Sequence, residues 1–91
     1  MKIEFNPAKS QLNVERRGLS FDLAEAFDFD SALIVEDARR DYGEKRYRAT
    51  GRLNESIVAV VFTLRDDVVR IISLRLANRK ERLAYAKKEQ D

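Results

Sequence analysis

Residues 46–76 read RYRATGRLNESIVAVVFTLRDDVVRIISLRL, and this stretch decides the fold. From Glu44 onward polar and apolar side chains alternate, as along a strand. Tyr47 and Ala49 are predicted to face a core, while Glu44, Arg46, Arg48, Thr50 and Arg52 share the other face. Leu53-Asn54-Glu55 holds a turn. Ile57–Leu64 is apolar on both faces, the pattern of a central strand covered on both sides. Arg65-Asp66-Asp67 makes the next turn. Val68–Leu76 is again apolar on both faces, apart from Arg70, Ser73 and Arg75. Turns this short join neighbours, so the three strands form an antiparallel meander.

The flanking sequence supplies the covers. Lys2–Phe5 alternates as a short strand does. Asn6-Pro7 reads as an N-cap followed by proline at the first helical position. That helix should run to about Arg17, where Gly18 stops it. Ser20 is placed as the cap of a second short helix with Leu23, Ala24 and Phe27 on one side. Ala32–Val35 is a brief apolar strand, and RRDYGE (39–44) is a polar loop. Asn78 and Glu81 form a capping box for a last helix from Arg79 to about Lys87. The predicted order is β, α, α, four strands, α. The helices must cover the apolar faces of the sheet, which gives an α+β sandwich.

The chain has 91 residues, enough for one domain over 1–91, and 44% of them are apolar. No apolar run approaches ~18 residues, so no membrane span is expected. The start, MKIEFNPAK, lacks the hydrophobic stretch of a signal peptide. There is no cysteine, so no disulfide framework or thiolate chemistry. There is no histidine, which removes the commonest general base and the commonest metal ligand together. Three glycines, at 18, 43 and 51, cannot make a phosphate loop. Ser10, Ser20, Ser31, Ser56 and Ser73 have no histidine to activate them. The acids at Asp28/Asp30 and Asp66/Asp67 read as turn residues. Phe5, Phe21, Phe27 and Phe62 read as core rather than as base-stacking platforms.

What remains is arginine. A net charge of +2 hides a strong separation of sign. Leu19–Asp37 holds six acids and no base, whereas Arg70–Lys88 holds seven bases and one acid, Glu81. Arg79 and Lys80 stand in the first turn of the last helix, where cations oppose the helix dipole at roughly 0.3–1 kcal/mol each. A phosphate bound at the free N–H groups of that turn reverses the local electrostatics. Arg75, Arg79, Lys80 and Arg82 then surround it. Arg46, Arg48 and Arg52 extend the patch along a nucleic-acid backbone. The competing reading is a solvated face, with the unfavourable charges screened by salt. Tyr85, six residues after Arg79, reaches such a site only if the helix lies along it.

Four blocks of this chain, MKIEFNPAKSQLN, RRGLSFDLAEAFDF, DYGEKRYRATGRL and RIISLRLANRKERLAY, resemble the BrnT toxins of bacterial type II toxin–antitoxin systems. The resemblance runs from Met1 to about Glu89. It implies a RelE-like α+β fold: a mostly antiparallel sheet packed against two N-terminal helices and one C-terminal helix. It also implies a cytoplasmic ribonuclease and a BrnA-like antitoxin partner. Operator DNA would be reached only through that antitoxin. The family's SxRxAxRxER pattern falls on Ser73, Arg75, Ala77, Arg79, Glu81 and Arg82, and its GExR block falls on Gly43, Glu44 and Arg46. Many members read Lys-His-Gly where this chain has Arg16-Arg17-Gly18, so Arg17 can bind RNA there but cannot relay a proton.

Without histidine, metal or cofactor, cleavage through the neighbouring 2′-OH rests on positioning and charge stabilisation. The expected catalytic set is Arg75, Arg79, Lys80 and Glu44. Arg75 and Arg79 hold the scissile phosphate. Glu44 is either a weak base, flanked by Lys45 and Arg46, or an ion-pair partner for Arg46. Arg46, Arg52, Arg65, Arg82 and Tyr85 complete the expected RNA contacts. The rival readings are a non-catalytic nucleic-acid-binding module and a basic surface for an acidic protein partner.

Overall fold

In the computed structural model, which describes residues 2–90, the element order is the expected one. It runs β1 (Lys2–Glu4), α1 (Pro7–Arg17), a 3₁₀ turn (Phe21–Ala26), β2 (Leu33–Asp37), β3 (Arg46–Leu53), β4 (Ser56–Arg65), β5 (Val68–Leu76) and α2 (Arg79–Gln90). The domain reading over 1–91 extends one residue beyond the described span at each end. The sheet is ordered β1-β5-β4-β3-β2, with β4 in the middle. β2, β3, β4 and β5 pair antiparallel, while β1 pairs parallel with β5, Lys2 to Val68 and Glu4 to Arg70.

The meander forms where its sequence is most regular. Each hairpin turns on a residue with positive φ, Asn54 at 54° and Asp66 at 56°. Asn and Asp enter that left-handed region at least cost among residues with a side chain. Between the turns, β4 is buried on both faces. Val58, Val60 and Phe62 belong to the main core, and Ala59 and Thr63 are equally shielded on the other side. Leu64, at the strand's end, is exposed.

The main core lies between the sheet and the 3₁₀ turn. It joins Phe21, Ala24, Phe27 and Ala32 to Ala49, Leu53, Val58, Val60, Phe62, Ile71 and Leu74. The four phenylalanines read as core behave as such: Phe21, Phe27 and Phe62 are buried, and Phe5 packs edge-on to Phe21. Tyr47 stacks on Phe62, 5.5 Å between centroids. α1 is tied to this side by Asn13, whose amide donates to Leu19 O (2.7 Å) and Leu74 O (2.8 Å). Asn6 caps α1 and Gly18, at φ 73°, ends it.

The second helical segment differs from expectation. It is 3₁₀, with three residues per turn, so side chains three apart eclipse. Phe21, Ala24 and Phe27 therefore point inward and Leu23 is left exposed. Ser20 does not cap the segment with its side chain. Its hydroxyl instead bonds the Asp22 carboxylate and meets Ser10 Oγ. β2 begins one residue later than expected and runs on to Asp37.

α2 lies on the opposite face of the sheet, against β2 and β3. It is longer than expected because its far end is tethered. Arg52 Nη2 reaches Glu89 at 3.2 Å, and Lys88 Nζ donates to Ser31 O at 3.2 Å. Tyr85 is the helix's buried anchor, 2% exposed.

Gly51 shows how close the first face is packed. A Cβ there would lie 3.0 Å from both Ala32 Cβ and Phe27 Cζ, and 3.3 Å from Ala32 Cα. Gly51→Val is expected to cost about 1–3 kcal/mol by overpacking. Thermal denaturation should show the melting point falling by roughly 5–20 °C.

Candidate functional site

The sheet face beneath α2 carries the charge. Cross-strand register places Leu33 opposite Thr50, Val35 opposite Arg48 and Asp37 opposite Arg46. On β5, Arg75 lies opposite Ala59 of β4. Where this face meets the start of α2 there is a cavity of about 420 Å³. Four cationic side chains line it, Arg39, Arg48, Arg75 and Lys80, with Glu81 the only acid.

Glu81 is the centre of this arrangement. Its backbone N–H donates to Asn78 Oδ1 at 2.8 Å, and Oε1 accepts from the Asn78 N–H at 2.9 Å. This is the capping box read from the sequence. The same carboxylate receives Arg75 end-on, Nη1 to Oε1 at 2.7 Å and Nη2 to Oε2 at 2.8 Å. Arg48 Nε stands 3.6 Å from Oε2. The Glu81 side chain is 11% exposed. The bonds from Arg75 hold its carboxyl down to about 2, against the effect of burial, with the Asn78 N–H and Arg48 adding to the shift. Arg75 is pushed up in turn, chiefly by the same bonds. Arg79 and Lys80 share its helical turn, but this carboxylate is committed to Arg75 and Arg48 and leaves their charge uncompensated.

Arg75 is only half used by Glu81. Guanidinium has five N–H donors. Nη1 serves Glu81 and, at 3.3 Å, Leu76 O, while Nη2 spends one proton on Glu81. The edge formed by Nε–H and the second Nη2–H carries no hydrogen bond among the described residues. That edge is a side-on fork of the kind that matches two phosphate oxygens.

The other expected residues divide. Arg79 and Lys80 are exposed and carry no ion pair among the described residues. Arg82 donates to Ala77 O at 2.8 Å, which fastens it to the base of α2. Glu44 stands apart from the cavity, 3.6 Å from Arg65 and 3.5 Å from the Thr63 hydroxyl. Its ion-pair partner is therefore Arg65 rather than Arg46. The Arg46 guanidinium sits 4.0 Å over the Tyr42 ring. Arg52 is engaged by Glu89 at the far end of α2. Tyr85 is sealed under the helix, so no base can stack on it in this arrangement. Arg16 and Arg17 line a separate groove between α1 and β5, together with Ser73.

Sequence reasoning left Arg39 out and placed Arg48 along an extension of the patch rather than in the cluster at the start of α2. Arg39 is brought in by Asp37, whose buried carboxylate it grips at 2.8 and 2.9 Å. The alternation of β3 did carry a signal for Arg48, since it stands two residues from both Arg46 and Thr50. The partner that draws it to α2, Glu81, lies 33 residues away and left no local trace.

A cavity walled by four cations at a helix N-terminus suits an anionic polymer such as a nucleic acid. Comparison of the sequence with known families gives that chemistry a setting: residues 5–81 match the family described as ribonuclease toxin, BrnT, of type II toxin-antitoxin system. The chain belongs to the BrnT family, whose members are ribonuclease toxins of such systems, and a toxin of this kind implies an antitoxin. No curated protein matches the chain. No helix among the described residues is long and apolar enough to cross a membrane.

The depressed Glu81 carboxyl makes stability depend on pH. Its folded value of about 2 lies below the ordinary 4.5, so its contribution is complete above about pH 5 and is lost as the pH falls towards 2. Asp37, also held to about 2 by Arg39, acts in the same window. Urea melts between pH 5 and 2 should show stability falling. Glu81→Gln should lack on the order of 1–3 kcal/mol of that fall.

Proposed function

We propose that this chain is an endoribonuclease toxin with a RelE-like fold, acting in the cytoplasm on RNA without a metal or cofactor. It is neutralised by a BrnA-like antitoxin, and it meets operator DNA only through that partner. The observation that carries the reading is the gathering of Arg39, Arg48, Arg75 and Lys80 around one cavity at the start of α2, with Arg79 beside it, in a member of this family.

Attack by the 2′-OH on the adjacent phosphorus concentrates negative charge on the phosphoryl oxygens. Donors fixed in advance lower the barrier most when they meet that charge as it develops. Arg79 and Lys80, exposed and unpaired among the described residues, make the first contacts with the backbone. Arg75 offers its Nε–Nη2 edge to the scissile phosphate. Arg46 and Arg48, on the same face of β3, continue the track, with Arg82, Arg52 and Arg65 further out. Tyr85 serves as the packing anchor that keeps α2 against the sheet. Glu44 steadies Arg65 and acts on RNA through it. The 2′-oxygen bonds to phosphorus as the P–O5′ bond breaks. With no histidine present, the 2′-OH proton passes to water or to a phosphate oxygen, and the departing 5′-oxygen takes a proton from water. The products are a 2′,3′-cyclic phosphate and a free 5′-hydroxyl.

A 5′-labelled single-stranded RNA of mixed sequence and its 2′-deoxy copy test this directly. The RNA should be cut to cyclic-phosphate ends and the deoxy copy left whole. Arg75→Met should slow cutting by about 10²–10³, the scale for losing one preorganised donor. Binding without cleavage would establish the non-catalytic module instead, and cleavage of the deoxy copy would eliminate the 2′-OH mechanism. Induction in bacteria should arrest growth with RNA fragmentation, and Arg79→Ala should relieve both.

A further inference from the structure

We infer that Glu81 is a positioning residue of the ribonuclease site, its carboxylate clamping Arg75 and Arg48 together over the first turn of α2 so that Arg75 keeps its Nε–Nη2 edge for the RNA phosphate. The inference rests on the function proposed above and gives that site its internal support.

Three elements converge on this one side chain. Arg48 comes from β3 and Arg75 from β5, on either side of β4. The Asn78 N–H and Glu81 itself belong to the start of α2. Without an anion between them, two guanidinium groups this close repel each other and adopt separate rotamers. With Glu81 in place the trio carries a net single positive charge, and Arg75 is held at two points, 2.7 and 2.8 Å. A planar fork gripped at both Nη atoms has one orientation. Its remaining edge is aimed before RNA arrives, so none of the binding energy goes into ordering it.

The clamp can be separated from the cap. A capping box accepts glutamine as well as glutamate at this position, because one side-chain oxygen is enough for the Asn78 N–H. Glutamine has only that one oxygen and no charge, so it cannot receive both Nη atoms of Arg75 or hold Arg48. Glu81→Gln therefore keeps the helix start and loses the clamp. Glu81→Asp keeps the charge but is one methylene short of the fork, which gives a second route to the same loss.

The experiment measures kcat and KM for cleavage of the labelled mixed-sequence RNA by the full chain, well below each variant's melting point and at fixed salt. Wild type, Glu81→Gln, Glu81→Asp, Arg75→Met and Arg75→Met/Glu81→Gln are compared. Glu81→Gln and Glu81→Asp should lower kcat by about 10–100-fold with KM changed by less than about 3-fold, as misplacement of a reacting group does. In the Arg75→Met background, Glu81→Gln should lower kcat by less than about 3-fold further, because the group it positions is already gone. A loss that is equal in both backgrounds marks a general structural effect and overturns the inference. So does unchanged kcat, or tighter RNA binding with faster cleavage, which would make the carboxylate a competitor of phosphate. A wild-type chain that leaves RNA intact overturns the proposed function and the inference with it. Cutting by wild type and Glu81→Gln alike removes the inference alone.

Discussion

The burial of β4 on both faces is the constraint from which the rest of the molecule follows. A strand that presents Val58, Val60 and Phe62 to one side and Ile57, Ala59 and Val61 to the other must be covered twice. The 3₁₀ turn and α1 supply the first cover and α2 the second. The first side is closed almost entirely by apolar contact. The second is covered by a helix with a single buried residue, Tyr85, and its covering is completed by charged groups. The cationic cavity is the part of this second side that α2 leaves open. The same requirement that makes the sheet stable thus gathers the arginines.

Charge on that second face is arranged rather than merely abundant. Each carboxylate near the cavity holds an arginine by two points: Asp37 grips Arg39, and Glu81 grips Arg75. The two grips differ in a way that bears on chemistry. Asp37 takes the Nε–Nη2 edge of Arg39, whereas Glu81 takes the two terminal nitrogens of Arg75 and leaves the side edge unbound. An intramolecular ion pair and an anion-binding role are therefore compatible in Arg75, although a simple reading of the pair would set one against the other. Arg79 and Lys80 add uncommitted charge at the rim.

Much of this was legible in the sequence, for identifiable reasons. The meander, its two turns and its central strand were legible because apolar alternation and short polar breaks are local signals. The capping box was legible because both halves lie within four residues. In the 3₁₀ segment Ala24 and Phe27 face inward as expected and only Leu23 does not, since Leu23, Ala24 and Phe27 fit a helical stripe as well as Phe21, Ala24 and Phe27 fit a threefold one. The parallel pairing of β1 with β5 had no local signature. The site was half legible. Arg75, Arg79 and Lys80 cluster in sequence, but Arg39 and Arg48 enter through partners far along the chain. Tyr85 and Glu44 looked available from their types alone, and burial and Arg65 respectively account for them in the fold.

The pairing of Lys2 with Val68 also sets an order on self-assembly. Every contact of the β3–β4–β5 hairpins closes a short loop, whereas β1 must bring together ends separated by 66 positions, at a greater cost in chain entropy. The meander can therefore form early and the N-terminal strand joins it late. Until then the outer rim of β5 is an unprotected template for other extended segments. Arg70, which meets Glu4 at 3.3 Å once β1 docks, places charge on that rim during the interval. The arginine that in the finished fold serves only a minor ion pair is also a guard against mispairing while the fold is being made.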